Sequence, residues 1–592
     1  MKKLFLYIAL FFSLIVCAQN EQLAQNYFDK GDFEKALISY QELVKLQPNN
    51  WVFLQKTVEC FQQLQQFDKA EKTIQDQLDK YKQASSLVEM GYNYQLQKDE
   101  EKANKFYEQA IDRIKKNPGE VYGVAPAFEK KVLIDLALRA YETAIAIDPK
   151  YSFNYQMAIL YGQKGNTDMM IEKFLLESFT NKQNLIPIQN QLSRFIIEDN
   201  NQAFNESLRK ALVLQTQKSQ DIFWNQYLSW FYVQLKEYGK AFIQEKAIFK
   251  RNPETFSNIV NLGKLAIDEG VQDTATEILT FVLENTQDLN LQIQAHFYLL
   301  EMRINNGLET TYPAIQVELE QLLKQFGISP NTLSLQILEA HFLTFKQNNP
   351  EAGKALLKTA LTLPLNQYQS AQVKMELADI FLYEEKFNQA LLYYSQIEED
   401  LKNDVIGHEA SLKAAKTSYF KADFVWSQKQ FKELKSASTQ LIANDALEYF
   451  LLINDNTVAD STLTALKDFS RADYLLYQNK NQEALAQFQK IITNYKENEI
   501  ESITLCRLGK TYEKLGDYQL ALSQYQSIIN QHEDGIYIDE ALYFSAEIYN
   551  KKLIDVEKAK ALYEKIVFHH EDSIYFIDSR KKYRQLRGDT NL

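Results

Sequence analysis

An all-α fold, built as a solenoid of antiparallel helix pairs, is what the sequence predicts, and three observations predict it. Aromatic and small residues recur in register: Tyr27, Phe61, Tyr94, Phe128 and Tyr161 stand 33 or 34 residues apart, and Ala36, Ala70, Ala103 and Ala137 keep the same interval. A period of that length is one helix–turn–helix unit, in which the small residue lets two helices approach and the ring fills their seam. Composition suits helices throughout: 592 residues hold only 17 Gly and 10 Pro, with no Ser/Gly/Pro-rich linker. The 35 Tyr and 36 Phe are what packed helix pairs need as filling. One pair cannot bury its own apolar face, so neighbours must stack on it.

Residues 1–18 read as something apart. Met1-Lys2-Lys3 is a charged start, LFLYIALFFSLIV is an apolar run, and Val16-Cys17-Ala18 before Gln19 fits the small-residue rule for signal cleavage. Export is expected, with Gln19 as the mature start and residence in the periplasm or at the outer membrane. A lipid-anchoring motif resembles Leu-x-(Gly/Ala/Ser)-Cys, and bulky Val16 before Cys17 favours simple cleavage over a lipid anchor. No later stretch approaches the roughly 18 apolar residues of a membrane span.

The clearest unit is Ser502 to Gly535. Leu505, Leu508, Gly509 and Tyr512 mark a first helix, Gly516-Asp517 the turn, and Ala521, Tyr525 and Ile528 a second helix. This pattern resembles a tetratricopeptide repeat, which implies a right-handed superhelical array with a concave groove. From Gln19 the same positions are filled by Leu23, Ala24, Tyr27, Gly31, Ala36, Tyr40, Leu43 and Pro48, and the register holds over 19–184, with Met170 where a small residue is usual. From 185 to 370 it degrades, Tyr312-Pro313 and Leu363-Pro364 marking breaks. Within 371–464, one clear unit (Leu377-Ala378, Phe381, Ala390, Tyr394) is followed by a segment from Asp423 to Leu466. That segment carries Trp426, Asn444-Asp445 and Ile453-Asn454-Asp455-Asn456, and reads either as a docking or packing insert or as a diverged helix pair with polar turns. Residues 465–580 return to register, Ser573 to Asp589 looks like a polar-faced capping helix, and 581–592 is a polar tail. The last 120 or so residues are similar to repeats of bacterial outer-membrane-assembly lipoproteins and cell-division coordinators.

Signs of catalysis are missing from the sequence. His296, His341, His408, His532, His569 and His570 are dispersed over separate units, and no HExxH, CxxC, GxGxxG, phosphate-binding loop or GxSxG occurs. No enzyme activity, cofactor or metal is expected. Cys60 and Cys506 fall far apart, each in a first helix, and read as small buried residues rather than a disulfide. A net charge of −13 without basic runs argues against nucleic acid.

Protein partners remain, and the resemblance implies where they bind. In this family the groove is lined by first-helix positions outside the signature. Here these are Gln55, Glu59 and Gln62, then Val88, Tyr92 and Gln95, then Tyr122 and Tyr155, with Gln226 and Trp230 farther along. Rings and amides in a row suit an extended or helical peptide. The Lys and Asn pattern by which some relatives grip a chain terminus has no counterpart. The expected role is an exported scaffold or adaptor for proteins or peptides of the cell envelope, or a component of outer-membrane assembly, secretion or cell-wall machinery. A ligand-capture protein on such repeats ranks below these, because long insertions between helices are lacking.

Overall fold

The computed structural model describes residues 20–197, 202–253, 256–437, 439–459 and 462–588, and every regular element among them is a helix. The predicted signal and Cys17 lie outside the described residues. The chain divides into two compact units, Met1–Phe223 and Trp224–Leu592.

In the first unit a helix over 20–29 precedes Phe33–Leu46, and four pairs follow: Trp51–Gln63 with Phe67–Tyr81, Ser85–Leu96 with Glu100–Lys116, Val121–Lys130 with Ile134–Ile147, and Asn154–Gln163 with Thr167–Thr180. Leu185–Ile197 and Gln202–Lys218 form the pair where the pattern degrades. Local chemistry sets the boundaries. Asn50, Asp99 and Asn166 accept backbone N–H groups of the first turn they precede, satisfying donors that have no partner inside the helix. The turn inside each pair passes through a left-handed residue, at Gly31, Gln65, Lys98, Val132 and Gly165 in succession. Glycine takes that conformation freely, whereas β-branched Val132 holds it at φ +58° under strain.

The seam is as tight as the pattern demands. A Cβ on Gly91 would stand 2.4 Å from Cε1 of Tyr107, and one on Gly509 would stand 2.4 Å from Cε1 of Tyr525, although the two pairs lie in different units. In the fifth pair the roles shift: Met170 fills the seam, and Gly162 opposite leaves room for its sulfur. Cys60 and Cys506 are buried free thiols in first helices.

The second unit begins in Ile222–Gln234 and continues through Tyr238–Arg251, Phe256–Asp268, Gln272–Asn285, Leu289–Asn306, Tyr312–Phe326, Leu333–Phe345 and Pro350–Ala360. The two prolines that break the pattern do so at helix boundaries: Pro313 sits in the first turn of its helix, and Pro364 lies in the connection before Gln367. Gln367–Tyr383 pairs with Phe387–Asp400, and Val405–Phe420 with Phe424–Ala437.

Next comes an additional helix, Gln440–Ala459, packed against Phe424–Ala437. Asn444-Asp445 and Ile453 to Asn456 lie inside it, so the expectation of polar turns there is corrected: Asn456 is buried and donates its side-chain amide to the Leu452 carbonyl at 2.8 Å.

After this extra helix the chain turns back. Thr464–Tyr477 returns to the C-terminal end of Gln367–Tyr383, where the Tyr474 hydroxyl donates to the Leu382 carbonyl at 2.6 Å, Tyr477 to Asp379 at 2.9 Å and the Gln478 amide to Tyr383 at 2.7 Å. The Leu382 carbonyl already accepts the Glu385 N–H at 3.0 Å, so the clasp adds a second bond there and gives the Tyr383 carbonyl, at the helix end, a partner. Phe345, Phe387 and Phe420 pack on the same two tyrosines.

The array ends with Asn481–Asn494, Ile500–Leu515, Tyr518–Gln531, Ile538–Ile548, Val556–His569 and Phe576–Arg587. That last helix buries Ser579 and Tyr583 and extends to Arg587, into the segment the sequence marked as tail.

Candidate functional site

Three first helices of the first unit, Trp51–Gln63, Ser85–Leu96 and Val121–Lys130, bring together most of the side chains that line a groove of about 590 Å³. The Gln55 amide donates to Glu89 at 3.0 Å, and Lys131 pairs with the other oxygen of Glu89 at 3.0 Å, both ends of that ion pair being buried. Lys131 also stands 4.6 Å from the Tyr92 ring centre, a cation–π contact. Glu59 lies beside this set, held by Lys130 at 2.5 Å and Lys56 at 3.0 Å. Burial pushes the Glu59 carboxyl up, but its hydrogen bonds to Lys130 and Lys56 and the charge of Lys131 outweigh that and leave it below its ordinary value. The charged face is therefore paired across three successive repeats.

The floor is made for close approach. Ala84, Ser85, Gly119, Gly123, Pro126 and Ala127 bring little side chain into the groove. Pro126 sits inside its helix and has no N–H to give the Tyr122 carbonyl, so an acceptor of the backbone is freed on that helix. Tyr122 itself is 66% exposed, with its ring against Tyr151 and Phe153 at centroid distances of 6.0 and 5.5 Å. Tyr155 is partly exposed and packs edge-on against Phe174 at 5.9 Å.

The structure thus unites Gln55, Glu59 and Tyr92 and leaves Tyr122 and Tyr155 on the surface, but two predicted residues are corrected. Val88 is wholly buried among Val124, Phe128 and their neighbours, and Gln62 is 5% exposed, so neither offers contact to a partner. Gln95 turns to its own pair and accepts the Tyr107 hydroxyl at 2.6 Å. In the second unit, Gln226 is exposed, while Trp230 is partly buried against Tyr227 at 5.3 Å. Sequence reasoning missed Glu89, Lys130 and Lys131. Their signal was the opposite charge carried at successive repeats, Glu59 and Glu89 against Lys130 and Lys131. His570 hydrogen-bonds Asp539 at 2.8 Å, and no group of three or more metal-ligating side chains occurs among the described residues.

Comparison with known families gives two matches. Residues 505–534 match the tetratricopeptide repeat, and residues 20–118 match the TT21 fifth ARM repeats domain. The first match falls on the pair Ile500–Leu515 and Tyr518–Gln531, the one closed by Gly509 against Tyr525. The chain is a helical-repeat protein. No curated protein matches it. Among solved structures it is similar to Naa15/Naa10 bound to HypK-THB, at 11% identity and a TM-score of 0.27, over 97% of this chain and 92% of that one. It is also similar to a chain of the APC/C hetero-tetramer Cut9-Hcn1, at 15% identity and a TM-score of 0.25, over 92% and 98%. No helix among the described residues is long and apolar enough to cross a membrane.

Proposed function

We propose that the chain is a non-catalytic scaffold that holds an extended or helical segment of a protein partner in the groove of its first unit. The observation that carries this reading is the groove itself, where three successive first helices set Trp51, Gln55, Glu89 and Lys130 around a floor of small residues, with Glu59 and Tyr92 beside them through Lys130 and Lys131 and the open ring of Tyr122 on the third helix. Amides and a freed carbonyl match the polar groups of a peptide backbone, and the rings supply area for its side chains. The six dispersed histidines support a role without catalysis.

We further propose that it acts as an exported protein of a Gram-negative cell envelope, in the periplasm or at the outer membrane. The charged start, apolar run and Val16-Cys17-Ala18 support export, and the style of the last 120 or so residues supports a place in envelope assembly, secretion or cell-wall machinery. The test is copurification from the host envelope of wild type and a Tyr92→Ala/Tyr122→Ala/Tyr155→Ala variant, matched for helicity by circular dichroism. A defined protein captured by wild type and lost from the variant supports the reading. Equal capture by both moves the site elsewhere, and no capture by either removes the scaffold reading.

A further inference from the structure

A second cavity, of about 540 Å³, lies wholly within the second unit, in the size range of small-molecule sites. Phe345, Phe420, Tyr449 and Tyr477 give it aromatic walls; Lys413, Lys416 and Arg507 bring cations; Asp379 and Asp473 bring carboxylates. Tyr477 belongs to the returning Thr464–Tyr477 helix, so the chain itself supplies one wall, and the volume suits a small ligand.

The charges of the wall differ in how firmly they are engaged. Asp379 accepts from the Tyr394 hydroxyl and from Lys413 at 2.7 Å, and Asp473 is buried with the Tyr419 hydroxyl and Arg507 Nε each at 3.4 Å. Displacing either carboxylate would strand a buried cation or a buried anion. Lys416 is held otherwise, and Arg507 is held so firmly only in part. Lys416 pairs with Asp445 at 3.1 Å, and Arg507, besides Asp473, with Glu448 at 2.6 Å; both of these carboxylates are on the additional helix, 45% and 44% exposed. Pairs with such exposed partners are weak, so an entering anion can replace Asp445 and Glu448 at little cost.

Lys413 keeps its charge: burial alone would lower it, but Asp379 raises it to about 12. Behind the wall, Glu376 bonds His341 at 3.0 Å and Glu409 lies 3.6 Å from Lys413, so the surroundings disfavour a multiply charged anion.

We propose that this cavity binds a small monoanionic carboxylic acid bearing an aromatic ring, with its carboxylate on Lys416 and Arg507 and its ring among Phe420, Tyr449 and Tyr477. The test is calorimetric titration of the full chain with 3-phenylpropionate, compared with 3-phenylpropionamide and 2-phenylethylammonium, which remove or reverse the charge on the same ring. The carboxylate is expected to bind about tenfold or more tightly than either, and Lys416→Gln or Arg507→Gln to weaken it about tenfold. Lys35→Gln, an exposed residue of the first unit away from the groove, is expected to leave it unchanged. Should Arg507→Gln fail to fold with Asp473 unpaired, Lys416→Gln decides, since its partner Asp445 faces solvent. Equal or tighter binding of the ammonium, or unchanged affinity in folded Lys416→Gln, overturns the proposal. So does failure of benzoate, phenylacetate and 3-phenylpropionate alike, and so does binding confined to peptides with a free C-terminal carboxylate.

Discussion

The groove of the first unit and the cavity of the second both carry paired charges, but the groove has one ring, Trp51, among small residues, whereas the cavity has several rings, and only the cavity draws on a helix that returns along the chain. In the groove, Gln55, Glu89 and Lys131 are joined across repeats in strict succession, and Tyr122, though packed on Tyr151 and Phe153, keeps most of its surface exposed. In the cavity, one additional helix, Gln440–Ala459, shifts the order, and Thr464–Tyr477 comes back to cap carbonyls some 90 residues earlier in the chain, at Leu382 and Tyr383. The regular array builds its groove from successive repeats, whereas the extra helix adds Tyr449 to the cavity wall.

The largest effects should come from the contacts that define each region. Lys131→Ala leaves Glu89 buried without its cation and is expected to cost about 3–5 kcal/mol, read by denaturant unfolding. Tyr474→Ala removes a fully buried ring and the clasp to Leu382, at about 3–5 kcal/mol. Hydrogen exchange separates the two: the first variant should lose protection over 85–131 alone, the second over 379–384 and 464–478 alone. Loss spreading through both units in either case would break the comparison.

Gly91→Ala and Gly509→Ala place a Cβ against the Tyr107 and Tyr525 rings at the same 2.4 Å. Each is expected to cost about 1–3 kcal/mol, through lowered melting temperature. Similar costs would show that the units share one seam and differ only in closure; a tolerant Gly509 would show a looser second seam.

The pH dependence should differ in sign. Glu59 lies below its ordinary value of 4.5, so it adds stability above that pH which is lost on acidification. Asp473 lies above its ordinary 3.8, chiefly through burial, with Arg507 only partly opposing. The folded state then takes up that proton first, and stability falls as pH rises through the raised value. Relative to wild type, Glu59→Gln should lose most at pH 7 and converge by about pH 3, whereas Asp473→Asn should gain with rising pH. Melting curves from pH 3 to 8 check both.

The smallest changes concern strained turns. Val132 and Ile554 hold φ of +58° and +54°, and either one replaced by Gly should gain up to about 1 kcal/mol, in opposite units and with no effect on groove or cavity.

The repeat architecture was legible because small residue, ring and turn recur at one interval, and each has a single steric job, as Gly91 against Tyr107 shows. The groove was legible in part. Val88 and Gln62 were assigned by position, but Ser86 to Gly91 are all buried, because that helix is enclosed by neighbouring helices and its own partner. Glu89 reaches the groove from within this run through its length and charge. The cavity was not legible at all. Its walls are spread from His341 to Arg507, and they meet only because the segment after Asp423, marked in the sequence by its departure from the pattern, supplies the helix that turns the chain back.

The central proposal, that the groove of the first unit receives a protein partner while the cavity of the second takes a small anion, is tested most directly by photo-crosslinking in the host with a photoreactive phenylalanine at Tyr122 and, separately, at Phe345. The account predicts a discrete protein adduct from position 122 and none from 345. An adduct from 345 with none from 122 would contradict it.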